Sequence, residues 1–163
     1  MALDTEMMTT TEVKTIAIVN SNIDTAYIDQ YILMAQRQYI RKFLGNDFYE
    51  ELLTQIDASS LTSDNTDIMV YVKNALAHFI VFESMPQLRN QIVKGGVMQH
   101  LSETSEPASG LDYGRLRDDY LVKAERFREE IDFYIMDVRE DTPLSYPLYC
   151  GKSDQNIGII MYD

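Results

Sequence analysis

Apolar residues return every three or four positions in four separate stretches of this chain, and that rhythm directs it toward helices packed on one another. In the first stretch, about residues 24–44, Ile28, Tyr31, Ile32, Ala35, Tyr39 and Phe43 share one face, with Arg37, Arg41 and Lys42 mainly elsewhere. Asn22 or Asp24 can cap its start and Gly45 can end it. A short second helix, about residues 47–56, aligns Phe48, Leu52 and Ile56, and Asp47 with Glu50 resembles a capping box. A polar loop over residues 57–65 leads to a third helix, about residues 66–84, expected to stop before Pro86. Its second half is apolar nearly all round, which predicts the central helix.

The fourth helix is the longest, from about residue 108 or 111 to residue 140. Tyr113, Leu116, Tyr120, Ala124, Phe127, Ile131, Tyr134 and Val138 follow one stripe. Between Asp112 and Glu140 stand nine acidic and six basic residues. An i,i+4 ion pair adds only about 0.2–0.5 kcal/mol, so burial of the stripe decides this helix. Before it, Ile92 to Met98 with Gly95-Gly96 predicts a small β-hairpin or loop near residues 91–100. The last segment carries Pro143 and Pro147 and is not helical by pattern, yet it is rich in large apolar residues. A tail left in solvent usually lacks such residues, so this one needs a surface to lie on. The expected organisation is all-α: an N-terminal extension (1–21), a helical domain (22–140) and an extended C-terminal arm (141–163).

The function classes narrow by exclusion. Acidic residues outnumber basic ones 26 to 14, a net charge of -12, which argues against a binder that grips nucleic-acid phosphates. The one cysteine, Cys150, excludes an internal disulfide framework and a cysteine-built zinc site. The two histidines, His78 and His100, have no metal-ligand spacing, and no phosphate-binding glycine loop is present. Glu50-Glu51, Asp118-Asp119 and Glu129-Glu130 are adjacent on helices, pointing roughly 100° apart, and read as solvated faces rather than acid–base pairs. No catalytic residue, cofactor or metal is expected. No run approaches the roughly 18 consecutive apolar residues of a membrane span. The opening MALDTEMMTTTE lacks the basic and apolar regions of a secretory signal, so a soluble protein made in a cytoplasm without export is expected.

The excess of tyrosine, eleven in all, is the more informative feature. Tyr31, Tyr39, Tyr120 and Tyr134 fall on helix faces, where core packing is the default. Tyrosine in the tail brings a large apolar area with a polar tip, as interfaces favour. The expected interaction residues are therefore Leu144, Tyr146, Leu148, Tyr149, Ile157, Ile159, Ile160 and Tyr162. The alternative is an arm folded back on its own domain.

The run Asn22-Ile23-Asp24, Tyr27-Ile28, Ala35-Gln36, Ile40, Phe43-Leu44-Gly45 and Phe48-Tyr49-Glu50-Glu51-Leu52 resembles the start of head–tail connector (adaptor) proteins of tailed bacteriophages. The likeness is nearest to connectors of crAss-like and other Bacteroides-type phages. It covers about residues 22–140, with Phe82 to Pro86 and Gly95-Gly96-Val97 as looser landmarks. The resemblance implies a four-helix connector-like bundle and a structural virion protein of the phage neck, without catalysis. It implies a ring, commonly of twelve copies, that contacts the portal protein and the next neck or tail component while DNA passes through without specific binding. Lys94, Gly95 and Gly96 would form the lumenal or portal-facing loop. Two other readings stand beside it: a cytoplasmic helical adaptor or regulator that binds one protein partner through the tail, and a small enzyme whose carboxylates meet only in the fold.

Overall fold

Helix α5 (Ser63–Gly95) is the element on which most of the others pack. The structure, a computed structural model, describes residues 4–19, 23–95 and 110–149. In chain order the other elements are α1 (Thr10–Ile16), α2 (Ala26–Ala35), a π turn (Gln36–Ile40), α3 (Arg41–Leu44), α4 (Asn46–Asp57) and α6 (Gly110–Asp141). Helix α2, the π turn and α3 run on without a break, so the described residues form five helical rods, with no strand among them.

The apolar spacing of α5 predicts its role. Ile68, Val72, Leu76, Phe79 and Ile80 are fully buried, and residues 75–82 are buried on every side. The segment Ser63–Leu88 is long and apolar enough to cross a membrane by length and composition, contrary to the expectation that no segment would be. Within the fold 72% of that apolar window is buried, so its greasy surface is covered by the other helices.

Helix α6 lies antiparallel along α5. Tyr71 stacks on Tyr134 at 4.5 Å, His78 meets Phe127 at 4.8 Å, and the Arg117 guanidinium sits 4.0 Å from the centre of the Phe82 ring. Across the other side of α5, Tyr39 stacks on Phe79 at 4.0 Å and its hydroxyl donates to Glu83.

Gly45 makes the corner between α3 and α4. Its φ of 84° and ψ of 159° fall in a region that is essentially glycine-only, rather than in the left-handed helical well usual after a helix. A Cβ there would meet nothing within 4 Å, so backbone conformation, and not space, selects glycine.

Two expected boundaries are corrected. Helix α5 does not stop before Pro86 but continues through it to Gly95. Proline removes one backbone donor, yet Met85 and Leu88 on either side are 7% and 5% exposed, and their burial holds the helix together. The expected hairpin or loop near residues 91–100 is therefore helical over its first half, with Lys94 and Gly95 in the last turn of α5, while Gly96 lies outside the described residues.

The residues expected as an N-terminal extension also join the core. Met7, Met8, Val13 and Ala17 are at most 4% exposed. Thr9 and Glu12 form a reciprocal cap on α1, with Thr9 N–H donating to Glu12 Oε2 at 2.7 Å. Lys73 of α5 reaches Glu12 Oε1 at 2.5 Å. Burial opposes ionisation of Glu12, but the hydrogen bonds from Lys73 and Thr9 outweigh it and hold the carboxyl below its usual range.

Candidate functional site

The chain leaves α6 at Asp141 and turns back at once onto its own body. Arg139, near the end of α6, gathers the loop by donating to the carbonyls of Ser145 (3.1 Å), Tyr146 (2.6 Å) and Tyr149 (2.8 Å). The fork of the guanidinium suits this task, since its fixed donors reach several acceptors at once. Tyr146 and Tyr149 then insert their rings beside Phe48, with centroids 5.8 and 6.3 Å away. Tyr146 donates to the Asp64 carbonyl at 2.7 Å, and Tyr149 donates to Asp132 Oδ1 at 2.9 Å. Burial pushes both phenols well above their usual pKa, with the Tyr134 hydroxyl adding to the effect at Tyr146 and the Asp132 carboxylate at Tyr149. Tyr146 holds a positive φ of 51°, a strained conformation for a bulky residue that its ring and hydroxyl contacts keep in place.

This geometry corrects one part of the interaction arm. Tyr146 and Tyr149 are 4% and 3% exposed and belong to the core of their own chain, so neither ring is offered to a neighbour. Leu144, at 87%, faces solvent, and Leu148 is 38% exposed. Ile157, Ile159, Ile160 and Tyr162 lie outside the described residues.

Two surfaces remain as candidates. The first is an open slot of about 540 Å³ between the N-terminal segment, α4 and α5, floored by Met7, Ile56, Leu61, Met69 and Val70 and edged by Lys73. Val70 is 60% exposed there. Asp57, at the end of α4, and Asp64 and Asp67, at the start of α5, are exposed, within a stretch from Asp47 to Asp67 that holds six acids and no base.

The second is the outer face of α6, where Val122, Phe133 and Met136 are 50%, 68% and 54% exposed. Phe133 and Met136 line a shallow hollow with the Tyr71–Tyr134 stack, ringed by Glu130, Asp137 and Glu140. These three apolar residues stand off the stripe that the spacing of α6 picks out, and exposure is what singles them out.

His78 donates through Nδ1–H to the Asn74 carbonyl, 2.8 Å away, one turn back on its own helix. Burial lowers its pKa, against the opposing effect of that hydrogen bond. No three His, Cys, Asp or Glu side chains gather as metal donors among the described residues.

No curated protein and no solved structure matches the chain. Residues 40–158, which include α4, α5, α6 and the loop that Arg139 gathers, match the family of unknown function DUF6712, and the chain belongs to that family.

Proposed function

We propose that this protein is a structural subunit of the neck of a tailed bacteriophage, one copy in a ring that joins the portal to the tail and extends the DNA channel. The sequence motifs around Gly45 and Phe48 suggest the role. The observation that carries it in the fold is the apolar slot beside Val70, which the described residues leave open. A ring of identical subunits needs two different faces on each copy, one to give and one to receive. The slot is a receiving face of the right chemistry. The apolar C-terminal residues Ile157, Ile159, Ile160 and Tyr162 of the next copy are the segment to fill it.

Charge supports the same arrangement. The stretch from Asp47 to Asp67, on α4 and the start of α5, holds six acids and no base, a surface that suits the bases of a neighbouring copy. Such contacts set register more than affinity. The net charge of -12 suits a channel wall that must not hold DNA phosphate.

Electron microscopy of the full-length protein mixed with the portal protein of the same phage tests this reading. A ring of added density on the portal is the expected result. Val70→Glu, at an exposed position, should leave the subunit folded and abolish the ring, as should removal of residues 157–163. Absence of any ring with the unaltered protein would defeat the proposal.

A further inference from the structure

The exposed side of α6 has the same order in both directions. Opposite the buried line of Tyr120, Ala124, Ile131 and Ile135, the residues Arg115, Val122, Arg126, Glu129, Phe133 and Glu140 fall along one outer seam. Their intervals are seven, four, three, four and seven residues, a palindrome of heptad spacings. All six are exposed.

Charge follows the same symmetry. Arg115, Lys123 and Arg126 lie in the first half of the helix, beside the acids Asp118 and Asp119, and Glu129, Glu130, Asp137 and Glu140 lie in the second. A parallel neighbour would set like charge over like. An antiparallel copy sets Arg115 and Arg126 over acids.

We propose that the outer seam of α6 is a two-fold contact between two copies of this chain, with the helices antiparallel and the axis passing between Phe127 and Arg128. In that register Val122 meets the partner's Phe133, Arg126 meets the partner's Glu129, and Arg115 meets the partner's Glu140. Lys123 flanks the partner's Glu130. Symmetry makes every pair occur twice, so one face is complementary to itself, as an isologous interface requires. Antiparallel helices in this packing lie about 8–10 Å apart, close enough for the seam side chains to interdigitate.

A second copy fits this face better than an unrelated helix, because the Val122–Phe133, Arg126–Glu129 and Arg115–Glu140 pairs match in one register, while Asp118 over the partner's Asp137 keeps the contact weak. Only Val122, Phe133 and Met136 are apolar along the seam, so the pair is reversible rather than obligate. A two-fold contact closes on itself and builds no ring. It is a property of the free subunit and does not depend on the neck-ring reading.

Sedimentation equilibrium of the full chain alone, over a range reaching the highest soluble concentration, tests the proposal. The unaltered protein should form a reversible dimer and nothing larger. Arg126→Glu places two acids opposite two acids and should weaken association by about tenfold or more. Glu129→Arg should do the same, and the double reversal Arg126→Glu with Glu129→Arg should restore the dimer. The double variant also keeps any contact between these two residues within one helix, so rescue reports the contact between copies. Phe133→Ser, at a residue 68% exposed, should dissociate the pair without loss of helical signal in circular dichroism. A monomer at every concentration, a dimer indifferent to Arg126→Glu and Phe133→Ser, or a double reversal that fails to rescue would overturn the proposal.

Discussion

The Tyr149 hydroxyl donates to Asp132 Oδ1 across 2.9 Å, joining the end of the C-terminal loop to the middle of the helix it has just left. Asp132 is 9% exposed, so this phenol replaces water that the carboxylate has given up. The Tyr149 ring also leans on Phe43, 6.0 Å away. Tyr149→Phe keeps the ring and deletes the donor. It should lower stability by about 1–3 kcal/mol, the usual cost of leaving a buried polar group short of a partner. Urea denaturation checks this through the midpoint, and an unchanged midpoint would remove the bond from the account of why the loop is closed.

Gln36 performs a comparable task at the other end of the chain. Its Oε1 accepts from Met7 N–H at 2.9 Å, while Nε2 donates to the Thr5 carbonyl at 3.0 Å and to the Tyr49 hydroxyl at 2.9 Å. The side chain is fully buried in the π turn. Gln36→Leu fills much the same volume and satisfies none of the three groups. Residues 4–16 should lose hydrogen-exchange protection while residues 75–82 of α5 keep theirs. Equal protection of the N-terminal residues in both proteins would show that apolar contacts alone hold them.

His78 gives the fold a pH dependence of definite sign. Burial against Phe127 and Tyr120 lowers its folded pKa below the ordinary imidazole value of about 6.5, so the unfolded chain takes up the proton first. Its contribution is therefore present above pH 6.5 and is lost as pH falls from there through the depressed folded value. His78→Gln, which cannot gain that proton, should flatten the fall in stability within this window. Denaturation midpoints of the two proteins at several pH values test it; parallel curves would exclude His78 as the source. The Glu12–Lys73 contact acts in a lower window, fading as pH drops below 4.5.

The helices were legible because their signal is local. The spacing of Ile68, Val72, Leu76 and Phe79 states which face of α5 is buried, whatever lies against it. What escaped depends on partners distant in the chain. Pro86 read as a stop, and the burial of Met85 and Leu88 overrode it. Helix α1 has seven residues, too few to stand alone, and is held by Lys73, while Gln36 holds the segment just before it. Its start was nonetheless written in Thr9-Thr10-Thr11-Glu12, a capping box that the acidic look of the segment obscured.

The tail shows how far composition reaches. Tyr146 and Tyr149 are covered by their own chain, and what decides this is Asp64, Asp132 and Arg139, which no local pattern connects to them. Of the candidate interaction residues among those described, Leu144 is the one that the fold leaves almost fully in solvent. The outer seam of α6 was hidden for a different reason: Val122, Phe133 and Met136 interrupt a polar face, and only knowledge of which face is buried separates them from the core stripe.

Two positions of that seam are mismatched: Asp118 stands over the partner's Asp137, and Asp119 yields a prediction of opposite sign to those above. In the antiparallel register Asp119 stands over the partner's Met136, so pairing draws a carboxylate out of water against a thioether, twice per dimer. Asp119→Leu replaces this with an apolar contact on both sides of the axis. Asp119 is exposed in the single chain, and leucine is the better helix former, so the monomer should fold at least as well. Association should tighten by about tenfold, in line with the burial of one further large apolar side chain per copy. Asp67→Leu, exposed on α5 and away from the seam, controls for general stickiness and should leave the dissociation constant unchanged. Sedimentation equilibrium of the two variants decides the matter: equal effects, or none at Asp119, would mean that these residues do not face each other across a two-fold axis.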